Sequence, residues 1–251
     1  MLELKDVSLT LVGDKGQVEV LKEINLTLKN KKIYVMTGPN GGGKSSIGKT
    51  IMGIFRPTAG QILLDGMDIT QKEIYERAHL GIGYAFQQPP RFKGIKVRQI
   101  LELSSGKNQT ENLCDLLYDV GLCAQNYLDR ELNASFSGGE LKRIEIATVL
   151  ARDLKVAIFD EPEAGIDLWS IQRLTETFVN LREKYDMTIV IISHQERIIK
   201  LADQIILVAE GRISGITSQE KILEDIRQLD SDCRCRKDCI GGGLKNAKCD
   251  R

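Results

Sequence analysis

Apolar residues recur along this chain with two different periods, and the switches between them mark its elements. Residues 2–10 and 17–28 alternate apolar with polar side chains, the pattern of half-buried antiparallel strands. Lys32–Thr37 is a short unbroken apolar run, which predicts a buried strand, and Ser45–Met52 beyond it predicts a helix. Gln61–Asp65 and Gly81–Phe86 predict further strands. From about Arg91 to Ala151 the period turns helical, through Val97–Leu103, Glu111–Val120 and a helix carrying Leu141, Ile144, Ile146, Ala147 and Leu150. Lys155–Asp160, Thr188–Ser193 and Gln204–Val208 return to strand, and Gly211 begins a tight turn into a last short strand. Ser218–Leu229 reads as an amphipathic helix capped by Ser218, with Ile222, Leu223, Ile226 and Leu229 apolar. The chain contains no internal repeat.

The boundaries carry more than the elements do. The strand at Lys32–Thr37 runs directly into Gly38, Pro39, Asn40, Gly41, Gly42, Gly43, Lys44, Ser45 and Ser46, which fits the G-x-x-x-x-G-K-[ST] phosphate loop. Glycines let backbone N–H groups close around phosphate oxygens, and a helix N-terminus adds favourable partial charge. Lys44 is placed to reach the β- and γ-phosphates, and the Ser45 hydroxyl to ligate Mg²⁺. Far downstream, Val156–Asp160 ends in two carboxylates, Asp160 and Glu161. Ligands of open α/β sheets sit at the carboxyl ends of strands, so Asp160 is a candidate for holding Mg²⁺ and Glu161 for polarising an attacking water as general base. Ser137, Gly138, Gly139 and Glu140 open the helix carrying Leu141 as a capping box, and their glycines permit close approach to a second phosphate group.

Composition narrows the setting. Lysine plus arginine equals aspartate plus glutamate, at 35 each among 251 residues, so charge gives no sign of nucleic acid as a partner. No stretch approaches eighteen uninterrupted apolar residues, and the N-terminal residues begin at once with strand-like alternation, so the expectation is a cytoplasmic protein with no direct membrane insertion. Four of the six cysteines, Cys233, Cys235, Cys239 and Cys249, fall near the C-terminus with C-x-C-x₃-C-x₉-C spacing. Four thiolates suit either tetrahedral zinc or a [4Fe–4S] cluster, and the spacing fits the standard run of neither. Cys114 and Cys123 sit in apolar surroundings and read as core thiols.

Taken in order, these motifs resemble the ABC-type ATPases over roughly residues 1–215: Walker A (Gly38–Ser45), a Q-loop with Gln87, the signature Ser137–Glu140, Walker B (Val156–Asp160) with Glu161, a D-loop at Glu163–Asp167, and an H-loop at His194. The resemblance implies an α/β fold, a P-loop NTPase of ABC type with a mixed central sheet, an antiparallel β subdomain and an inserted helical subdomain. It implies an ATPase domain over residues 1–230, a helical insert at about 91–151 and a cysteine-rich tail at 231–251. It also implies ATP and Mg²⁺ as ligands, Gln87 as an Mg²⁺ sensor, and His194 beside the γ-phosphate. Two chains would close head to tail around ATP, so that Ser137 and Gly139 act on the partner's nucleotide. Where many relatives carry an aromatic adenine contact, the segment around Leu11 offers aliphatics, with Val18 nearby.

Within that family the chain is most similar to the SufC-type ATPases of the SUF iron–sulfur cluster assembly system, on Ala85–Pro89, Phe136, Glu140–Arg143 and Ala164–Asp167. This likeness implies a SufB-like scaffold partner, a metal use for the terminal cysteines, and a latch in which Lys142 holds Glu161. Two other functions fit the same residues: a nucleotide-binding subunit of a membrane ABC transporter, and a nucleotide-gated metal-binding module.

Overall fold

The computed structural model describes residues 1–218, apart from 14–15, 90–91, 93, 106–112 and 134. The predicted helix from Ser218 and the four terminal cysteines therefore lie outside the described residues, apart from Ser218 itself.

Two sheets organise the chain. The first has four strands in the order β2-β1-β4-β5, all antiparallel, built from β1 (Leu2–Gly13), β2 (Gly16–Leu28), β4 (Ala59–Leu64) and β5 (Met67–Asp68). Its alternating sequence puts Leu2, Leu4, Val7, Leu9, Leu21, Ile24, Leu26 and Leu28 on one buried side. The second sheet has six strands in the order β10-β9-β3-β8-β7-β6: β3 (Ile33–Thr37), β6 (Ile82–Ala85), β7 (Val156–Asp160), β8 (Thr188–Ile192), β9 (Gln204–Ala209) and β10 (Arg212–Thr217). Its pairs are parallel except β9 with β10, which makes it mixed. β7 and β8 are buried along their whole length, as their unbroken apolar sequences require of strands covered on both faces.

The helices cover these sheets. α1 (Lys44–Met52) and α2 (Ile74–His79) accompany the first half of the chain. α3 (Val97–Ser105), α4 (Leu113–Asp119), α5 (Ala124–Tyr127) and α6 (Gly138–Leu150) all lie in the connection from β6 to β7. α7 (Leu168–Lys184) and α8 (Glu196–Ile199) flank β8, and neither α2, α5, α7 nor α8 is anticipated by the periodicity reading. α2, α7 and α8 have their apolar positions diluted by charge and α5 is only four residues long; α7 is defined instead by Leu174, Phe178 and Leu181 packing into the core, with Phe178 edge-on to Phe159 of β7 at 5.0 Å.

Two sequence readings change here. Cys114 and Cys123 are exposed, not core thiols: α4 turns Leu116 and Leu117 inward, and Cys114 falls on the other face. Lys142, expected to hold Glu161, is buried on α6 together with Arg143 and Glu145. Among the described residues no helix is long and apolar enough to cross a membrane.

Candidate functional site

Register brings distant motifs to one edge. Met36 of β3 pairs with Ile192 of β8, and Ile192 pairs in turn with Asp160 of β7. Parallel strands in register end together, so the segments leaving β3, β7 and β8 start from one row. Those segments are the glycine loop at Gly38, the pair Asp160–Glu161, and Ser193–His194. On the far side of β7, Ala85 of β6 pairs with Phe159, which delivers Phe86 and Gln87 to the same edge.

The glycine loop curls around its own lysine. The Lys44 ammonium donates to the carbonyls of Gly38 and Pro39 at 2.8 and 2.9 Å. Gly38 has φ 137°, and a Cβ there would lie 2.1 Å from the Val208 carbonyl oxygen of β9; only glycine fits this approach. Gly43 stands at the N-cap of α1 with φ 104° and offers no side-chain cap, so the helix's first amides face the cleft unshielded. Beside them opens a cleft of about 340 Å³, lined by Val20, Asn40, Gly41, Gly42, Gly43, Lys44, Ser45, Ser46, Gln87 and Glu161.

The carboxylates meet that loop directly. Ser45 Oγ donates to Asp160 Oδ1 at 2.8 Å, and Tyr84 Oη donates to Asp160 Oδ2 at 2.6 Å. Burial, and the neighbouring Asp160, push the Tyr84 phenol far above its ordinary range, so it remains a donor. Glu161 has φ 44°, left-handed backbone that a glutamate rarely adopts, held by its N–H to the Ile192 carbonyl at 3.0 Å. This turns its side chain toward Gln87, whose Nε2 donates to Glu161 Oε2 at 2.5 Å. Burial holds the Lys44 ammonium below its usual range, while Glu161 and Asp160 oppose that shift. Burial and the Lys44 charge also depress the exposed His194 imidazole, with Glu161 opposing, which favours the neutral ring at pH 7.

The residues present fit a nucleotide triphosphate and Mg²⁺. The cleft joins an open helix start, a buried ammonium and close backbone approach on one side to a hydroxyl and a carboxylate on the other. Hard oxygen donors of this kind suit Mg²⁺.

The signature residues stand apart from this cleft. Ser137 Oγ accepts the Glu140 N–H at 3.2 Å, and Glu140 Oε2 accepts the Ser137 N–H at 2.8 Å, which completes the predicted capping box. A Cβ on Gly138 would come within 2.8 Å of the Gly165 carbonyl oxygen, and one on Gly139 within 2.9 Å of Ser170 Oγ. The two glycines thus serve, within this chain, the close packing of α6 on the Glu163–Asp167 turn and on the first turn of α7. Leu11 pairs with Val18 across β1 and β2, but the aliphatic residue that lines the cleft is Val20.

The expected Lys142–Glu161 latch is not formed. Lys142 Nζ donates to the Phe86 carbonyl and to Glu145 Oε2, while Glu161 takes Gln87. Helix geometry dictates this: Glu145 lies one turn along α6, within reach of a buried ammonium. Two neighbours of the site escaped the sequence reading, and a third, Glu163, entered it only as the start of the D-loop. Tyr84 lies in an apolar strand and carries no local signal. Glu145 is one acid in a helix that looked merely amphipathic. Glu163 is half-buried, its Oε1 accepts from Ser193 Oγ, and its Oε2 has no hydrogen-bond partner among the described residues. Among these residues no cluster of metal-ligating type occurs.

Comparison with known proteins agrees with this geometry. The family model described as ABC transporter matches residues 21–164. An uncharacterized ABC transporter ATP-binding protein of Methanocaldococcus jannaschii is 38% identical over 208 residues, covering 79% of this chain and 83% of that one. A probable ATP-dependent transporter of Cyanidium caldarium is 32% identical over 214 residues, covering 79% and 84%. Among solved structures, a bacterial ABC transporter cassette in dimeric form superposes with a TM-score of 0.78 at 22% identity, over 87% of this chain and 99% of that one, a likeness of fold. A Clostridium perfringens protein that is part of the cbiONQ ABC transporter complex gives a TM-score of 0.75 at 25% identity, over 95% and 98%.

Proposed function

This chain belongs to the ABC transporter ATP-binding family and is an ATPase, and on that premise we propose that it is the nucleotide-binding subunit of a transporter, driving a membrane partner by ATP hydrolysis. The observation that carries the reading is the convergence of Lys44, Ser45, Asp160, Glu161 and Gln87 on one cleft. The choice of a transporter rests on the relatives, which are named as ATP-binding proteins of transporters.

In this reading the amides of Gly41–Ser46 and the Lys44 ammonium hold the β- and γ-phosphates. Ser45, Asp160 and Gln87 would hold Mg²⁺, which when bound neutralises charge on the phosphate oxygens. Glu161 orients the attacking water and takes up its proton, and a neutral His194 donates to the γ-phosphate. Tyr84 fixes the Asp160 carboxylate in place from the side opposite Ser45. A second copy, docked head to tail, would bring its own Ser137 and Gly139 to this nucleotide, since the chain's own signature lies away from its cleft.

A second reading keeps the same chemistry with a soluble scaffold, SufB-like, as partner in iron–sulfur assembly. It is supported by the Ala164–Asp167 turn and the Glu140–Arg143 flank, and it would use Cys233, Cys235, Cys239 and Cys249. Affinity purification from membranes solubilised in mild detergent separates the two. Recovery of a polytopic membrane protein is the expected result. Recovery of a soluble iron–sulfur scaffold, with no membrane protein, would replace the transporter reading.

A further inference from the structure

The pairing of β6 with β7 stops at Ala85 and Phe159. Phe86 is the next residue, so its peptide groups have no strand to bond. They are taken instead by two charged side chains of α6. The Phe86 N–H donates to Glu145 Oε1 at 2.7 Å, and the Phe86 carbonyl accepts from Lys142 Nζ. Lys142 and Glu145 also pair with each other at 3.2 Å, with side chains 3% and 8% exposed. Neither lines the cleft.

A buried ion pair is an expensive way to fill space, and an apolar pair of similar volume is often as stable or more so. What Lys142 and Glu145 supply that apolar residues cannot is a directional grip on both polar groups of one residue. That residue is followed at once by Gln87, whose amide reaches Glu161. The Phe86 ring packs edge-on to Tyr84 at 4.9 Å, and Tyr84 holds Asp160. The residue that α6 grips is therefore adjacent, by chain or by contact, to partners of both carboxylates.

We propose that Lys142 and Glu145 are positioning residues, which fix Gln87 against Glu161 through the Phe86 backbone and so let the helix that starts with the signature set the reacting end of the ATP site. The inference rests on the reading of Gln87 and Glu161 as members of that site. Neither charge touches nucleotide. Both act by deciding where the loop after β6 leaves the sheet. Rotation of α6 would carry Phe86 with it and draw Gln87 off Glu161.

The test is ATP turnover by the full chain, with nucleotide binding and thermal unfolding measured beside it. Lys142→Met with Glu145→Leu replaces the pair by apolar residues of similar volume. The expected result is a folded protein with near-unchanged KM and a kcat lowered about ten- to hundredfold, the scale of a small misplacement of catalytic groups. Lys142→Arg, which retains a cationic donor, should restore most of the kcat. Adding Gln87→Ala to the apolar pair should cost nothing further, because all three substitutions break one path. Should the apolar pair fail to fold, Glu145→Gln, which keeps an acceptor for the Phe86 N–H but weakens the hold on Lys142, is expected to lower kcat and to show the same non-additivity with Gln87→Ala. An unchanged kcat, or losses that multiply while Gln87→Ala alone is harmful, overturns the inference and leaves the site intact. A harmless Gln87→Ala overturns the site reading as well.

Discussion

Ser45 and Asp160 stand 115 residues apart in the chain, and the Ser45 hydroxyl donates to the Asp160 carboxylate at 2.8 Å. The contact joins the glycine loop to the end of β7, two strands away across the sheet, with β8 between them. Each residue holds the other in place from a different strand end, in the position where a hard cation would need both.

Asp160→Asn removes the charge and keeps one acceptor oxygen, for Ser45 or for Tyr84, while its amide NH2 takes the place of the other. The Mg²⁺ concentration giving half-maximal turnover should rise about tenfold or more, because a neutral amide oxygen is a poorer ligand for a hard dication. A magnesium titration of ATPase rate measures this. An unaltered titration curve would remove Asp160 from the cation site.

Glu161→Gln preserves the shape of the side chain and abolishes its basicity. Turnover should fall by about 10²–10⁴-fold. ATP binding should persist, since the glycine loop and Lys44 are untouched, and the ATP-loaded variant should elute as a dimer in size-exclusion chromatography. Undiminished turnover would show that another group activates the water.

Arg77 is fully buried and pairs with no carboxylate among the described residues. Its guanidinium donates to the carbonyls of Thr50 and Ile51 at the end of α1, to Thr70, and to Lys72. Arg77→Met would strip those carbonyls of the guanidinium donors and leave Thr50 only its bond from the Gly53 N–H. Urea unfolding should report a loss of about 3–5 kcal/mol, the range for breaking a buried polar network. Arg77→Lys, with three donors in place of five, should fall between. A loss under about 1 kcal/mol for the methionine variant would mean that water satisfies the carbonyls.

Glu163 makes a pH-dependent contribution of its own. Burial pushes its carboxyl up and the Glu161 charge adds to this, while the Ser193 hydroxyl opposes. The folded protein thus holds this proton more tightly than the unfolded chain. Its stabilising contribution is full below the ordinary glutamate value, about 4.5, and is lost as pH rises toward the elevated folded value. Glu163→Gln mimics the protonated form and still accepts from Ser193. Its stability relative to wild type should therefore improve from pH 5 to pH 8 in urea unfolding. A difference that is the same at both pH values would falsify the shift.

The glycine loop, Asp160 and Glu161 are legible because each lies in a short run of neighbours whose chemistry is local; Gln87, His194 and the part given to Ser137 come from the likeness to ABC-type ATPases. Consecutive amides must cradle a phosphate, and a buried strand must end where its carboxylate begins. The two sheets were legible for the same reason: alternation in β1 and β2 and unbroken apolar runs in β3, β7 and β8 state which faces are covered. What register decides was not legible. Only the row Met36, Ile192, Asp160 shows that three loops leave one edge together. Only the end of the β6–β7 ladder at Ala85 shows why the Phe86 carbonyl is open to Lys142, which helix spacing sets beside Glu145. Sequence by itself determined which residues are candidates for holding a phosphate. Tertiary structure alone decided which buried charge holds which backbone group, because that depends on where strands end and helices cross, and no window along the chain contains both partners.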